Sequence, residues 1–165
     1  MSFIRLETFI RAPAEICFDL ARDIGVHMAA PTASADRAVA GVTSGPVGLG
    51  DEVTWEGTHF GVRQRLTSRI VAFDRPRMFA DEMRRGAFKR WRHTHLFEPQ
   101  AGGTLMTDEV EFASPLGPVG AVVDALVLKN YMTRFLRAHN GNIKKLAERA
   151  AGGDNNAAAG SGEPF

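Results

Sequence analysis

The chain has 165 residues, 20 basic and 19 acidic side chains, 44% hydrophobic content and one cysteine. This composition excludes collagen-like, disulfide-stapled and globally disordered classes and points to one domain long enough to bury a sizeable core. A net charge of +1 speaks against a dedicated nucleic-acid binder, and no apolar run approaches the roughly 20 residues of a membrane span.

The N-terminal segment MSFIRLETFIR has no apolar h-region of a signal peptide. With the lone Cys17, this gives a cytoplasmic expectation. Residues 2–11 alternate, with Ile4, Leu6 and Ile10 on one side, and predict a strand. Ala12-Pro13 opens a helix through Leu20, and a second short helix is predicted over Ile24–Ala30, stopped by Pro31. Residues 35–43 are weakly extended. Gly45-Pro46 and Gly48-Leu49-Gly50 mark a loop. Strands are predicted near 51–57, 61–73, 77–85, 88–98 and 104–113. Their turns are placed at Glu56-Gly57-Thr58, Asp74-Arg75-Pro76, Arg85-Gly86-Ala87 and Gln100-Ala101-Gly102-Gly103, as in a meander of hairpins. After Pro115–Pro118 a long helix runs from about Val119 to Ala150, with Leu128, Met132, Phe135, His139, Ile143 and Leu146 on one stripe. The expectation is a single domain over 1–150 and a flexible tail over 151–165.

The fragments Ile10-Arg11-Ala12-Pro13-Ala14-Glu15, Gly50-Asp51-Glu52-Val53-Thr54-Trp55, His59-Phe60-Gly61, His93-Thr94-His95-Leu96-Phe97 and Gly103-Thr104 with Asp108-Glu109, in this order and spacing, resemble the START-related SRPBCC superfamily. The resemblance is to its polyketide cyclase/dehydrase-like branch and to relatives of the major birch-pollen allergen, and it covers roughly residues 2–150. It implies an α+β helix-grip fold. In that fold an antiparallel sheet of about six to seven strands wraps around a long C-terminal helix, two short helices follow strand 1, and a deep hydrophobic pocket lies between sheet and helix. It implies no single activity, because the fold hosts carriers as well as enzymes.

Alternation along the strands assigns the faces. Trp55, Phe79, Met83, Trp91, Phe97, Met106 and Phe112, with Phe135 of the long helix, form the expected apolar wall of a ligand site. Four polar residues share that face: Asp81, His93, His95 and Asp108. A buried carboxylate needs a partner and histidine is the obvious one. Such a pair can orient a ligand's hydroxyl or carbonyl, or work as a general acid/base. His93-Thr94-His95 also aims two imidazoles the same way, a weak metal signal beside Asp81 or Asp108; the expectation is neither metal nor cofactor. Tyr131, the only tyrosine, joins the candidate site from the helix. His59, at a hairpin tip, reads as surface, and Cys17 as a packed thiol.

The outer face is charged. Residues 63–92 carry a local charge of +7 between segments of −4 and −2, and their arginines face Glu52, Glu56, Glu109 and Glu111 on flanking strands. Ordinary cross-strand pairing accounts for this. The leading functional expectation is binding or transport of an aromatic, polyketide-like or lipid-like molecule. One alternative is a cyclase, dehydratase or aromatase that uses an Asp–His pair. Another is an interaction module built on the outer arginines Arg63 and Arg65. A homodimer is compatible with all three.

Overall fold

The computed structural model describes residues 1–115 and 117–158. The elements are β1 (Ser2–Ile10), α1 (Ala14–Ala21), α2 (Ile24–Met28), β2 (Arg37–Gly41), β3 (Glu52–His59), β4 (Val62–Asp74), β5 (Met78–Arg85), β6 (Arg90–Gln100), β7 (Gly103–Ala113), α3 (Gly117–Val123), a π-helical turn (Asp124–Leu128) and α4 (Lys129–Ala158). All seven strands form one antiparallel sheet in the order β1-β7-β6-β5-β4-β3-β2. The expected helix-grip fold is present.

Three boundaries differ from the sequence expectation. Glu56-Gly57-Thr58 is strand, not turn. The β3–β4 turn is Phe60-Gly61, where both residues have positive φ (53° and 74°), as a tight two-residue hairpin requires. Gly57 reads as a turn signal in the sequence, but its role is steric: a Cβ there would collide with the Asp36 carboxylate. The long helix is divided, because α3 and the π-helical turn precede α4. At its far end α4 continues through Gly152-Gly153 to Ala158, so the first part of the expected tail is helical. Residues 159–165 of that tail lie outside the described residues.

Two buried clusters position the site. The first centres on Phe18 of α1, whose ring meets Phe73, Phe79 and Phe97 edge-on at 5.3, 5.3 and 5.4 Å. Ile10, Met106, Ile143 and Ala147 complete it, so it joins α1, the sheet and the C-terminal half of α4. The second consists of Ile4, Val110, Phe112, Met132 and Leu136 and holds the N-terminal half of α4 on β1 and β7. Between them Asn140 of α4 reaches Asp108 on β7 and Thr8 on β1. The loop before β3 is tied to the α1–α2 junction by Ile24 N–H to Gly45 O (3.0 Å) and Val47 N–H to Arg22 O (3.0 Å).

The register confirms the paired outer face. Glu56 lies opposite Arg37 on β2 and Arg65 on β4. Arg65 Nε donates to it at 2.8 Å, Arg63 also bonds it, and Arg37 is 3.7 Å away. Three exposed guanidinium groups thus cover one carboxylate. Arg92 pairs with Glu82 and Arg90 with Glu111, and Arg75 reaches Asp19 of α1. Glu109 takes Arg5 of β1 at 2.7 Å, so its partner comes from outside the basic window.

Truncating Phe18 removes the ring on which three others converge. Phe18→Ala is expected to cost about 3–5 kcal/mol, the usual range for a buried aromatic. Chemical denaturation monitored by circular dichroism reads this directly.

Candidate functional site

A cavity of ≈ 340 Å³ lies between the inner face of the sheet and α4, with α1–α2 along one side. Its wall is largely apolar, with Trp55, Phe79, Trp91, Phe135, Leu136 and Ile143. All five histidines of the chain line it: His27, His59, His93, His95 and His139. They fall into three groups.

The first group is organised by Asp108, whose side chain is fully buried. In register, Asp108 on β7 lies directly opposite His95 on β6, and His93 sits two residues along the same strand. His93 Nε2 donates to Asp108 Oδ1 at 2.9 Å, and His95 Nδ1 approaches the same oxygen at 2.9 Å. The second oxygen accepts from Asn140 Nδ2 of α4 at 2.6 Å, and the same amide also donates to Thr8 of β1. Burial alone would push the Asp108 carboxyl up. The two imidazoles outweigh it and hold the group far below the usual carboxylate range. A carboxylate only accepts, so its hydrogen bond places the His93 ring proton on Nε2, while His95 Nδ1 lies close without hydrogen-bond geometry. The two rings stack at 3.8 Å between centroids, and Phe79 covers the other side of His95 at 4.2 Å.

Asp81 on β5 lies opposite His93, on the other side of the histidine pair from Asp108. Burial raises its carboxyl, and the charge of His93 and a hydrogen bond with Ser68 offset this only in part. The two aspartates of one face are therefore pushed in opposite directions.

The second group is a stack. His27 of α2 packs between Trp55 (4.2 Å) and His139 of α4 (4.1 Å). Its residual exposure is to the cavity, and burial, followed by the charges of His139, His93 and His95, pushes it well below the ordinary histidine value. Burial also lowers His139. His139 Nδ1 contacts the Phe135 carbonyl at 3.0 Å and must donate there. That leaves Nε2 of the neutral ring as an acceptor, buried with no partner among the described residues.

The third group stands at the end of β3. Asp36, bonded by Ser34, accepts from His59 Nε2 at 3.2 Å, and His59 Nδ1 meets the Tyr131 hydroxyl at 2.8 Å. With its proton held toward Asp36, His59 accepts from Tyr131. Burial raises the Tyr131 phenol. Gly57 makes this group possible, because its missing Cβ is the space that Asp36 occupies.

Of the residues expected at the site, Trp55, Phe79, Asp81, Trp91, His93, His95, Tyr131 and Phe135 line the cavity. Phe97, Met106, Asp108 and Phe112 face inward as alternation requires, but they are buried behind the wall. Met83 is also off the wall, against Gly86. His59, expected at the surface, faces the cavity. The sequence pattern does not single out His27, Asp36 or Asn140 as polar site residues, and it assigns His139 to stripe packing. Their elements meet only in the folded chain. The one available signal is a histidine and an asparagine side by side within the apolar stripe of α4.

The model of a family described as "Polyketide cyclase / dehydrase and lipid transport" matches residues 4–148. The chain belongs to this family. No functionally curated protein matches it. Among solved structures it is similar to TTHA0849 from Thermus thermophilus, at 19% identity over 86% of this chain and 97% of that one, with a TM-score of 0.65. Protein CV1439 from Chromobacterium violaceum is 14% identical over 88% and 96% of the two chains, with a TM-score of 0.67. The ginseng major latex-like protein 151 from Panax ginseng is 15% identical over 88% and 97%, with a TM-score of 0.67. At these identities the likeness is one of fold. No described helix is long and apolar enough to cross a membrane.

The shifts in this polyketide cyclase/dehydrase family member predict a two-stage acid profile. His27 and His139 sit below their ordinary value of about 6.5, so the unfolded chain takes up protons first as pH falls through that value, and stability falls with it. Asp108 and Asp36 are held below the ordinary value of about 3.9, so a second loss follows as pH drops past about 4. Melting temperature against pH is expected to be flat between about 7 and 8, below the range where Cys17 and Tyr131 begin to ionise in the unfolded chain. His27→Phe, which keeps the stack but cannot titrate, is expected to shrink the upper step and leave the lower one. An unchanged upper step in the His27→Phe, His139→Gln double variant refutes the assignment.

Proposed function

We propose that this protein binds a hydroxyl-bearing aromatic or polyketide-like molecule in the cavity between sheet and α4. One observation carries the reading. The wall is apolar, while its ring nitrogens are arranged as acceptors, with His139 Nε2 buried and unpartnered among the described residues. A buried acceptor without a donor is costly, and a ligand hydroxyl that enters as the His27–His139 stack opens would supply that donor. The volume suits a small molecule of a few fused rings, and the family description is of the same chemical kind.

Native mass spectrometry of freshly purified protein is expected to show a retained apolar ligand. In titrations, a hydroxynaphthalene is expected to bind roughly tenfold tighter than naphthalene, about the worth of one added hydrogen bond. His139→Phe is expected to remove that advantage. No binding of either probe refutes the cavity reading, and equal binding of both refutes the polar recognition.

A second reading, acid–base catalysis of cyclisation or dehydration, is favoured by the opposed carboxyls. Asp108 stays ionised and orients two imidazoles. Asp81 is held toward its protonated form on the other side of them. An imidazole nitrogen takes a proton from the carbon next to a carbonyl, and the Asp81 carboxyl protonates the departing hydroxyl. A C=C bond forms and water leaves. With a β-hydroxyketone probe, His95→Ala and Asp81→Asn are each expected to lower kcat by about 10²–10⁴ with little change in KM. Unchanged turnover refutes this reading and leaves binding intact.

A further inference from the structure

We infer that Asp81, His93 and His95 form a binding site for one divalent first-row metal ion of the Zn²⁺ class. A ring nitrogen of each histidine and a carboxylate oxygen of Asp81 lie within 4.8 Å of one another. Two imidazoles and one carboxylate are a borderline-soft donor set, which suits zinc and its neighbours rather than magnesium or calcium.

The strands explain why the three converge. His93 and His95 are alternate residues of β6 and point to one face. Asp81 is the register partner of His93 on the neighbouring strand β5. All three therefore stand on the rigid inner sheet rather than on loops. The side chains are mostly shielded, with His93 at 13% and His95 at 12% exposure.

The surroundings are those a metal site needs. Asp108 contacts one nitrogen of each ring from the β7 side, and Asn140 holds Asp108 in turn. A carboxylate behind a ligating histidine fixes the ring and raises its basicity. Asp108 already accepts from His93 and Asn140 and lies 2.9 Å from His95 Nδ1, so it orients the rings and is not itself a ligand. With His93 Nε2 held by Asp108, Nδ1 is the nitrogen that this ring offers an ion. Asp81 supplies the one anionic donor of the set, and a divalent ion would balance the charge that its carboxylate carries once bound. Three protein ligands leave at least one coordination position for water or a ligand oxygen, and all three residues line the cavity. The inference depends on neither functional reading, because the ion is held whether or not an organic ligand follows.

The test uses the full chain, stripped with a chelator and titrated with Zn²⁺ by calorimetry and with Co²⁺ by visible absorption. One ion per chain is expected, with shifts of the His93 and His95 ring nitrogens in ¹⁵N NMR on adding Zn²⁺. Asp81→Asn and Asp108→Asn are each expected to weaken Zn²⁺ about 10–100-fold. His95→Ala is expected to abolish the Co²⁺ bands. Naphthalene titrated into the unsubstituted, metal-free chain reads the cavity by itself, which separates failure of the metal site from failure of the cavity. The NMR arm needs no variant and stands even if a substitution unfolds the chain. No stoichiometric binding overturns the inference. So does binding that survives both Asp81→Asn and His95→Ala, or shifts confined to His27, His59 or His139.

Discussion

The structure turns on one buried charge. Asp108 sits at full burial on β7, between β1 and β6, where an uncompensated carboxylate would cost several kcal/mol. Its hydrogen bonds come from His93 of β6 and Asn140 of α4, His95 of β6 lies within 2.9 Å, and the α4 amide also reaches β1. A helix that could slide along an apolar stripe is thereby given a register. Apolar packing alone tolerates such slippage, because Leu against Met is nearly as good as Leu against Phe. The carboxylate does not tolerate it, because only Asn140 places an amide there. The same contacts fix both imidazoles, so the interaction that positions the helix also sets the chemistry of the cavity wall.

Alternation of side chains makes most of this readable in the sequence. Period-two patterning is determined by the pleat, so Asp81, His93, His95 and Asp108 have to share a face with Phe79 and Trp91, and they do. The long helix is readable for the same kind of reason, from its 3.6-residue stripe. What the pattern cannot supply is depth. Phe97, Met106 and Phe112 are on the correct face but lie under neighbours, because α1 inserts Phe18 among them at one end and the second cluster closes the other. Facing inward is a property of one strand, whereas reaching the cavity depends on what packs above.

The residues that escape the pattern share a different cause. His27, Asp36, His59 and Asn140 come from α2, the segment before β2, the tip of β3 and α4, and no periodicity links them. Gly57 shows the difficulty plainly. In a strand pattern a glycine reads as a break, which puts the turn there. The folded chain uses the missing side chain as space for Asp36, and Phe60-Gly61 makes the turn with the positive φ values that the geometry demands. A glycine's role in a strand is set by what approaches it from elsewhere.

The cavity's polarity follows from how these constraints are met. Each inner histidine with a hydrogen-bonded partner spends its proton on the protein: His93 toward Asp108, His59 toward Asp36, His139 toward a backbone carbonyl. The fold therefore consumes donors and leaves acceptors. On the proposed reading, an apolar cavity furnished in this way would discriminate against molecules that can only accept hydrogen bonds, and its lone-pair nitrogens would answer to a hydroxyl proton or a metal ion. Asp81 then decides between them. Where it is protonated it offers a carboxyl donor on that wall, and where it is ionised it completes a three-ligand set.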